Sequence, residues 1–365
     1  MIDCGFPIIK YEVGKSYFEW GVAHGTQFKD AIVELASIRR ELMLKRNPSL
    51  KAKLSELANE QFSVTEKFDK SLSDELRGIA KGAGLTIEDI VILNNYTDFR
   101  DIQLPEEGCS TVQIQNEINI LSGQTWDMHR SAKNYMCLIE IPETDINPKT
   151  LMLSLVGCTG LMGVNSHSCL IGVNNINTLN AKVGLIWPNL VRKVLMCDNL
   201  DSMRETLLNA PVTSGHNYLI STKDGAEHWE ITPEFNDLIH AHTKHEIGHS
   251  FHTNHCLGKQ VSTIQDQDHV SLTTHKRYEI LENQVKSISD FDALKNLFQS
   301  HDGHPISICT HLETGSADPS ATCGGGLMEF NTGRIQFWRG CPEYDDNYVE
   351  YEYNIDENNN IIKRD

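Results

Sequence analysis

The sequence lacks any hydrophobic run long enough to cross a bilayer, has no low-complexity tract, and contains only 11 prolines in 365 residues. A membrane-spanning helix needs roughly 20 consecutive apolar residues. The stretch "MIDCGFPIIKYEVGKSYFEW" has Asp3 near its start and only a short apolar run, so it predicts neither a signal peptide nor a membrane anchor. We therefore expect a cytoplasmic protein with one large domain, or two tightly packed segments, around a full-sized core.

Positive charge is also scarce in this chain. Lysine and arginine number 32 against 50 acidic residues, which makes the net charge −18. A chain with this charge repels an extended phosphate backbone and an anionic membrane surface. The composition therefore predicts that neither nucleic acid nor a membrane is a partner.

Closely spaced cysteine pairs are missing as well. The ten cysteines are scattered without a C-x-x-C pair, and a chain of this size needs no disulfide staples. We expect most of them to be reduced thiols that fill space in the core. They are Cys4, Cys109, Cys137, Cys158, Cys169, Cys197, Cys256, Cys309, Cys323 and Cys341.

The hydrophobic pattern of the chain changes near residue 108. Apolar residues recur at helical spacing through residues 17–99, which predicts a helical segment. Within it, the pattern predicts that Ser73 caps one helix, that Gly84 ends it and that Thr86 caps the next.

Short strand-like segments dominate from residue 109 onward, interrupted by two helical blocks at residues 187–209 and 274–299. Runs of strands with a few long helices between them are typical of an α+β fold with helices outside antiparallel sheets. The acidic end "CPEYDDNYVEYEYNIDENNN" is open to two interpretations. Its alternation predicts one more strand, and its charge predicts a solvated edge.

A cysteine opens the first of these strands. In "PEEGCSTVQIQ" a polar loop ends in glycine, after which Cys109, Thr111 and Gln113 share one face. Val112 and Ile114 share the other face. A thiol at the start of a strand, just after a flexible glycine, is a candidate nucleophile.

The chemistry of Cys109 requires a base, because only the thiolate is nucleophilic and no histidine is adjacent in sequence. Cleavage of the Gly108–Cys109 bond would supply that base as a new α-amine, with a pKa of about 8. Gly108 suits such a cleavage because it lacks a Cβ and lets the thiol reach the preceding carbonyl. The junction therefore predicts a self-cleaving precursor.

Six stretches carry a resemblance to a known family, in that family's order. They are "YFEWGVAHGTQFK", "LRGIAKGAGLTIEDIVILNNYTDF", "GCSTVQ", "GQTWDMH", "FHTNHCL" and "PISIC". Through them the chain resembles, over nearly its whole length, the isopenicillin N acyltransferase family of self-cleaving N-terminal-nucleophile hydrolases. The resemblance implies a four-layer αββα sandwich. It also implies a helical α chain, residues 1–108, which stays bound after cleavage to a catalytic β chain, residues 109–365.

The resemblance also implies roles for four residues. Cys109 matches the nucleophile, and Asp127 in "TWDM" matches the aspartate near the thiol and the new amine. Asn254 in "HTNHC" matches the asparagine whose side-chain amide helps form the oxyanion hole. Asn174 in "GVNN" matches a further polar group of the related bile salt hydrolases. The alternative for Asp127 and Asn174 is a turn or strand-end role, and two neighbouring asparagines leave the register of Asn174 open.

Two departures from the family pattern bear on the substrate. Bile salt hydrolases have an arginine three residues before the aspartate, where this chain has Gln124, so bile salts are disfavoured. The acyltransferases have basic and hydroxyl-bearing residues where this chain has Pro319 and Ala321, so penicillin chemistry is not supported.

The reaction that remains is acyl transfer from a linear amide to the cysteine, without a cofactor or metal. An N-acyl amine, an N-acyl amino acid or a small peptide-like amide fits this chemistry, and an acyl thioester is a further candidate donor. Hydrolysis and transfer to an amine stay open, as does assembly into a larger oligomer.

A rival interpretation comes from the tract "HAHTKHEIGHSFHTNH". His240 and His242 would share a face of a strand, as two ligands of a zinc hydrolase do. No carboxylate or third histidine follows at a recognised metal spacing, which disfavours this alternative. A non-catalytic scaffold of the same fold is a third possibility, and the intact "GCS", "WD" and "TNHC" stretches argue against it. The tract holds His240, His242, His245, His249, His252 and His255.

Overall fold

The computed structural model describes residues 1–99, 108–315 and 318–364. The helices in these ranges confirm the N-terminal helical segment and both later helical blocks. None of the helices described is both long and apolar enough to cross a membrane. They are α1 (Tyr17–Gln27), α2 (Lys29–Arg46), α3 (Leu54–Phe68), α4 (Lys70–Ala83), α5 (Ile87–Asn94), α6 (Trp187–Val194), α7 (Leu200–Leu208), α8 (Thr274–Gln284) and α9 (Phe291–Phe298).

The strands form two sheets, in which β1 pairs in parallel with β4 and the other neighbours are antiparallel. Sheet I has the order β1-β4-β5-β6-β7-β8-β9-β10, and sheet II has the order β11-β2-β3-β12-β13-β14-β15. The strands are β1 (Ile8–Lys10), β2 (Gly108–Gln115), β3 (Ile120–His129), β4 (Met136–Ile141), β5 (Thr150–Leu155), β6 (Met162–Asn165), β7 (Leu170–Asn175), β8 (His216–Thr222), β9 (Gly225–Ile231), β10 (Asn236–Thr243), β11 (Gly248–His252), β12 (Ser320–Glu329), β13 (Arg334–Arg339), β14 (Val349–Ile355) and β15 (Ile361–Lys363).

The two sheets face each other through buried polar side chains. The hydroxyl of Thr111 on β2 donates to Asn174 Oδ1 on β7 at 2.7 Å, and Ser122 on β3 donates to Ser221 on β8 at 2.9 Å. Buried polar groups of this kind must be paired, so these bonds hold the sheets in one relative position. Cys109 and Thr111 therefore lie on the face of β2 that is directed at sheet I.

Helices cover the outer faces of both sheets. On sheet II, Val112 and Ile114 pack with Leu281 of α8 and Leu294 of α9, as the alternation in β2 predicts. On sheet I, α7 packs against β8 and β9, and the N-terminal helices share one core with its strands. The molecule is therefore an α+β sandwich with the layers α, β, β and α.

Two of the three predicted helix caps are correct. Thr86 caps α5 in a capping box with Asp89, and Gly84 ends α4 with a φ of 71°. The prediction for Ser73 is wrong, because Asp69 caps α4 by accepting an amide hydrogen bond of the first turn. Ser73 lies inside the helix and its hydroxyl donates to a carbonyl three residues earlier, at 2.8 Å.

Strand β12 was not evident in the sequence because its centre is "CGGG", and glycine weakens a strand. The structure gives a packing reason for two of these glycines. A Cβ at Gly324 would lie 2.3 Å from the carbonyl oxygen of Trp338, and a Cβ at Gly325 would lie 2.4 Å from that of Gln124. β12 therefore packs closely between β3 and β13 only with glycine at these positions.

The acidic end does form a strand, β14, and an ion pair compensates part of its negative charge. In β14 the side chains of Tyr353 and Ile355 are buried, while Glu352 binds Arg334 at 3.0 Å. Both interpretations of this segment are therefore partly correct.

A buried ion pair joins the N-terminal helices to the rest of the chain. Arg192 of α6 lies 3.2 Å from Glu75 of α4, and the two side chains are 1% and 0% exposed. The Tyr11 hydroxyl donates to Glu75 at 2.6 Å. Burial raises the pKa of Glu75, and the charge of Arg192 opposes this increase. Each charge is tolerated in the core only because the other is present.

We expect Arg192→Met to lower the free energy of unfolding by about 3–5 kcal/mol, because it leaves Glu75 buried without its partner. The control is Arg77→Met, which removes a surface pair with Glu66 and should cost about 0–1 kcal/mol. Both variants are unfolded in urea in a Cys109→Ala background, so that the cleavage expected before Cys109 could not divide the chain. Equal losses in the two variants would contradict this assignment.

Candidate active site

The pairing of β2 with β3 brings the first two predicted site residues together. Gly108 is opposite Asp127 in the register, and Cys109 is opposite Trp126. The strand β11 pairs with the other edge of β2 and ends at His252. The chain then turns, which places Asn254 beside the start of β2.

Asn254 contacts Cys109 directly. Its Oδ1 accepts a hydrogen bond from the backbone nitrogen of Cys109 at 2.8 Å. Its Nδ2 donates to the carbonyl of Asn175 at 2.8 Å, which engages one of the two amide hydrogens. The backbone nitrogen of Asn254 donates to the Thr274 hydroxyl at the start of α8, at 2.7 Å. The side-chain amide is therefore fixed from both sides.

Arg277 is a site residue that the sequence analysis missed. Its Nη2 donates to Asn254 Oδ1 at 2.7 Å, and its Nη1 donates to the Cys109 carbonyl at 2.6 Å and to Ser110 Oγ at 2.9 Å. Its Nε donates to Thr273 at 3.0 Å. No motif marked Arg277, which lies within a helical block far from Cys109 in sequence.

Asp127 supplies the opposite charge. Its Oδ2 is 4.0 Å from Arg277 Nε, and its Oδ1 accepts a hydrogen bond from Thr322 at 2.7 Å. Burial raises the pKa of Asp127, which the charge of Arg277 and the Thr322 hydroxyl oppose. Burial also lowers the pKa of Arg277, and the charge of Asp127 opposes this decrease. Oδ2 has no hydrogen-bond partner among the described residues.

Asn174 lies behind Cys109, between the two sheets. Its Nδ2 donates to the Cys109 carbonyl at 3.0 Å, and its Oδ1 accepts from the side chains of Thr111 and Asn217, each at 2.7 Å. The neighbouring residue, Asn175, lines the cavity next to Cys109. The structure thus brings all four predicted residues together, with Asn174 holding the backbone of Cys109.

A side chain at position 108 would displace the charged groups next to it. A Cβ at this position would lie 2.5 Å from Arg277 Nη2 and 2.9 Å from Asp127 Oδ2. Real Cβ contacts are never so short. The peptide before Cys109 therefore lies directly against the charged pair.

A small cavity of about 30 Å³ borders these residues. Cys109, Asp127 and Asn254 form its polar side. Gln124 also borders it, and the Gln124 side chain accepts a hydrogen bond from the backbone nitrogen of Val173 at 2.6 Å. The remaining wall is largely apolar and includes Trp126, Met128, Leu161, Val173 and Trp187.

The histidine tract runs along β10 and β11 without gathering into a metal site. His240 and His242 have ring centroids 6.5 Å apart, and His252 Nε2 is 2.7 Å from the carboxylate of Glu230. Among the described residues, no three potential ligands converge in this tract. The geometry does not favour the zinc hydrolase alternative.

Comparison with known proteins decides the family. The model of the family "acyl-coenzyme A:6-aminopenicillanic acid acyl-transferase" matches residues 115–340, more than half of the chain. The chain belongs to this acyltransferase family. It is similar to the acyl-coenzyme A:6-aminopenicillanic-acid-acyltransferase 40 kDa form of Emericella nidulans, with 25% identity over 82% of this chain and 84% of that protein. A penicillin V acylase structure from Agrobacterium tumefaciens covers 69% of this chain and 92% of its own, with 10% identity and a TM-score of 0.39.

The acyltransferase family match includes most of the site. Asp127, Asn174, Asn254 and Arg277 all lie within the matched residues 115–340, and Cys109 precedes them. Hydrogen bonds, rather than the match, connect Cys109 to Asn174, Asn254 and Arg277.

Replacing Arg277 should slow alkylation of Cys109, because a neighbouring cation favours the thiolate. We expect iodoacetamide to label Cys109 about tenfold more slowly in Arg277→Met, equivalent to roughly 1.4 kcal/mol of lost stabilisation. Arg277→Lys should have a smaller effect, since it keeps the charge and loses the bidentate geometry. Labelling is followed by peptide mass spectrometry. Arg77→Met, which removes an exposed guanidinium, is the control, and an unchanged rate in a folded Arg277→Met protein would refute this role.

Proposed function

We propose that the chain is a self-cleaving cysteine N-terminal-nucleophile enzyme that transfers the acyl group of a linear amide through an acyl-thioester intermediate. One observation carries this proposal. The backbone nitrogen of Cys109 lies 2.8 Å from Asn254 Oδ1, an oxygen that also accepts from Arg277. The nitrogen that would become the catalytic amine is thus already held by the residues that surround the thiol.

The first step of the proposal is maturation. The Cys109 thiolate adds to the carbonyl carbon of Gly108, and the carbon–nitrogen bond to Cys109 breaks while that nitrogen takes a proton. Gly108 is then held as a thioester on the Cys109 sulfur. Water hydrolyses the thioester and releases the Gly108 carboxylate, the thiol and a free α-amine.

The two resulting chains, residues 1–108 and 109–365, should remain associated. Strand β1 pairs with β4 inside sheet I, and the buried pair of Glu75 and Arg192 crosses between the two parts. His24 in α1 accepts a hydrogen bond from the backbone of Gly157 at 2.9 Å. Separation would expose a shared core, so cleavage should change a chain end without changing the fold.

In the mature enzyme the α-amine of Cys109 accepts the thiol proton, and the thiolate adds to the substrate carbonyl. The second amide hydrogen of Asn254 Nδ2 is a suitable donor to the developing oxyanion. The tetrahedral intermediate collapses, the substrate amine leaves with a proton, and the acyl group remains on sulfur. Water or a second amine then removes it, which gives hydrolysis or acyl transfer.

The cavity supports an apolar acyl group as the part of the substrate that is recognised, because its wall is built largely from aromatic and aliphatic side chains. Trp187 Nε1 and His216 Nδ1 are buried there without a hydrogen-bond partner among the described residues. The relative from Emericella nidulans is named for an acyl-coenzyme A, which supports an acyl thioester as a candidate donor.

We expect the purified chain to migrate as two fragments in denaturing electrophoresis, and Cys109→Ala to migrate as one. The two wild-type fragments should elute together under native conditions. Cys197→Ala, which removes a half-buried thiol away from the cavity, should be cut normally. A wild-type chain that stays whole, yet hydrolyses amides, would exclude this mechanism.

Substitutions of Asn254 and of Asp127 should impair the enzyme at different steps. Asn254→Ala should lower kcat about a hundred- to a thousandfold with little change in KM, since it removes a transition-state donor. Asn254→Asp keeps the acceptor oxygen for Cys109 and Arg277 and loses the donor, so it should be comparably slow.

Asp127→Asn should impair maturation as well as turnover, because it removes the charge that favours the new ammonium. A cut, folded variant within about threefold of wild-type turnover would remove that residue from the site.

A further inference from the structure

Four metal-ligating side chains converge at a place that no part of the proposed reaction uses. His301 follows α9, Cys309 and His311 lie in the segment that leads to β12, and Cys341 follows β13. One ligand atom from each lies within 4.8 Å of the others. We propose that these four residues bind one structural Zn²⁺ ion.

The distances within the cluster fit a tetrahedral ion. Cys309 Sγ is 3.4 Å from His311 Nε2, and Cys341 Sγ is 3.4 Å from His301 Nε2. With Zn–S bonds of about 2.3 Å and Zn–N bonds of about 2.0–2.1 Å, a tetrahedral site places sulfur and nitrogen roughly 3.6 Å apart. Each histidine thus directs its Nε2 atom at a cysteine sulfur. The nitrogen–sulfur distances are close to those that a shared ion requires.

The second layer of contacts also fits a bound metal. His301 Nδ1 lies 2.9 Å from a carboxylate oxygen of Glu343, so the ring nitrogen that does not face the cluster has a fixed partner. Carboxylates in this position orient zinc-binding histidines. The Tyr344 ring packs against both imidazoles, with centroids 4.8 Å from His301 and 4.6 Å from His311. The two rings are therefore oriented before an ion arrives.

The ligand types favour zinc in a structural role. Two cysteines and two histidines form a complete tetrahedral set, which leaves no position for water or substrate. Zn²⁺ displaces one proton from each thiol, and two thiolates then balance its charge. Cys309 and Cys341 are buried, while His311 borders a cavity of about 290 Å³ that gives the ion a route to the cluster.

The cluster lies behind the charged pair of the candidate active site. Between Cys309 and His311, the backbone nitrogen of Thr310 donates to Thr322 Oγ1 at 2.8 Å. That hydroxyl donates to Asp127 at 2.7 Å. The ion would fix the segment that positions Thr322, and so would support Asp127 without touching reacting atoms.

The test measures metal binding, and its result does not depend on catalytic activity. The full-length protein is stripped with a chelator under reducing conditions and titrated with Co²⁺. We expect one equivalent to bind, with thiolate-to-metal charge transfer and the intense visible bands of a tetrahedral ion. X-ray absorption of the zinc form should show two sulfurs at about 2.3 Å and two nitrogens at about 2.0 Å, which requires no variant.

Variants then identify the ligands. Cys341→Ser should weaken the charge-transfer band and lower the affinity for Co²⁺, and Glu343→Gln should lower the affinity about 10- to 100-fold. Cys197→Ser and His240→Asn remove the same residue types elsewhere and should bind normally. Failure to bind Co²⁺ or Zn²⁺ with all thiols reduced would overturn the proposal. So would loss of binding in His240→Asn alone, or a Cys309–Cys341 disulfide, detected as a mass lower by two hydrogens, in the protein as purified.

Discussion

The arrangement of the site depends on one buried cation. Arg277 is fully enclosed, and its donors reach the Cys109 carbonyl, Ser110, Asn254 and Thr273. An enclosed guanidinium is tolerated only near an opposite charge and with its hydrogen bonds satisfied. Asp127 provides the charge. Because this one guanidinium group contacts β2, the turn after β11 and the start of α8, the position of Cys109 is coupled to the packing of all three elements.

The acid in this pair is supported in turn by a chain of neutral hydrogen bonds. Asp127 accepts from Thr322, and Thr322 accepts from the backbone of Thr310. Burial raises the pKa of Asp127, and the charge of Arg277 and the hydroxyl of Thr322 oppose this increase. Both neighbours therefore favour the charged form of Asp127. The site extends through sheet II to the segment that carries Cys309 and His311.

Sequence patterns predicted the features that depend on local periodicity. The helical segment, the face of β2 that carries Cys109 and the cap at Thr86 follow from spacing and turn chemistry. The glycine-rich β12 was missed because its reason for being a strand is close packing with neighbours that are distant in sequence. Arg277 was missed for the same reason. A lone arginine in an amphipathic helix resembles a surface residue until the fold brings it against Cys109.

The uncut chain also buries a hydrogen-bond acceptor that lacks a donor, and the proposed cleavage would supply donors next to it. Asp127 Oδ2 is buried beside Gly108 and lacks a hydrogen-bond donor among the described residues. In the precursor the Cys109 nitrogen has a single hydrogen, which Asn254 already accepts. Cleavage would turn that nitrogen into an ammonium with three hydrogens and a positive charge, and so provide donors where the precursor has an unsatisfied acceptor. A buried carboxylate that is costly before the proposed cleavage would then stabilise the product, so Asp127 would favour both the proposed maturation and the form that it yields.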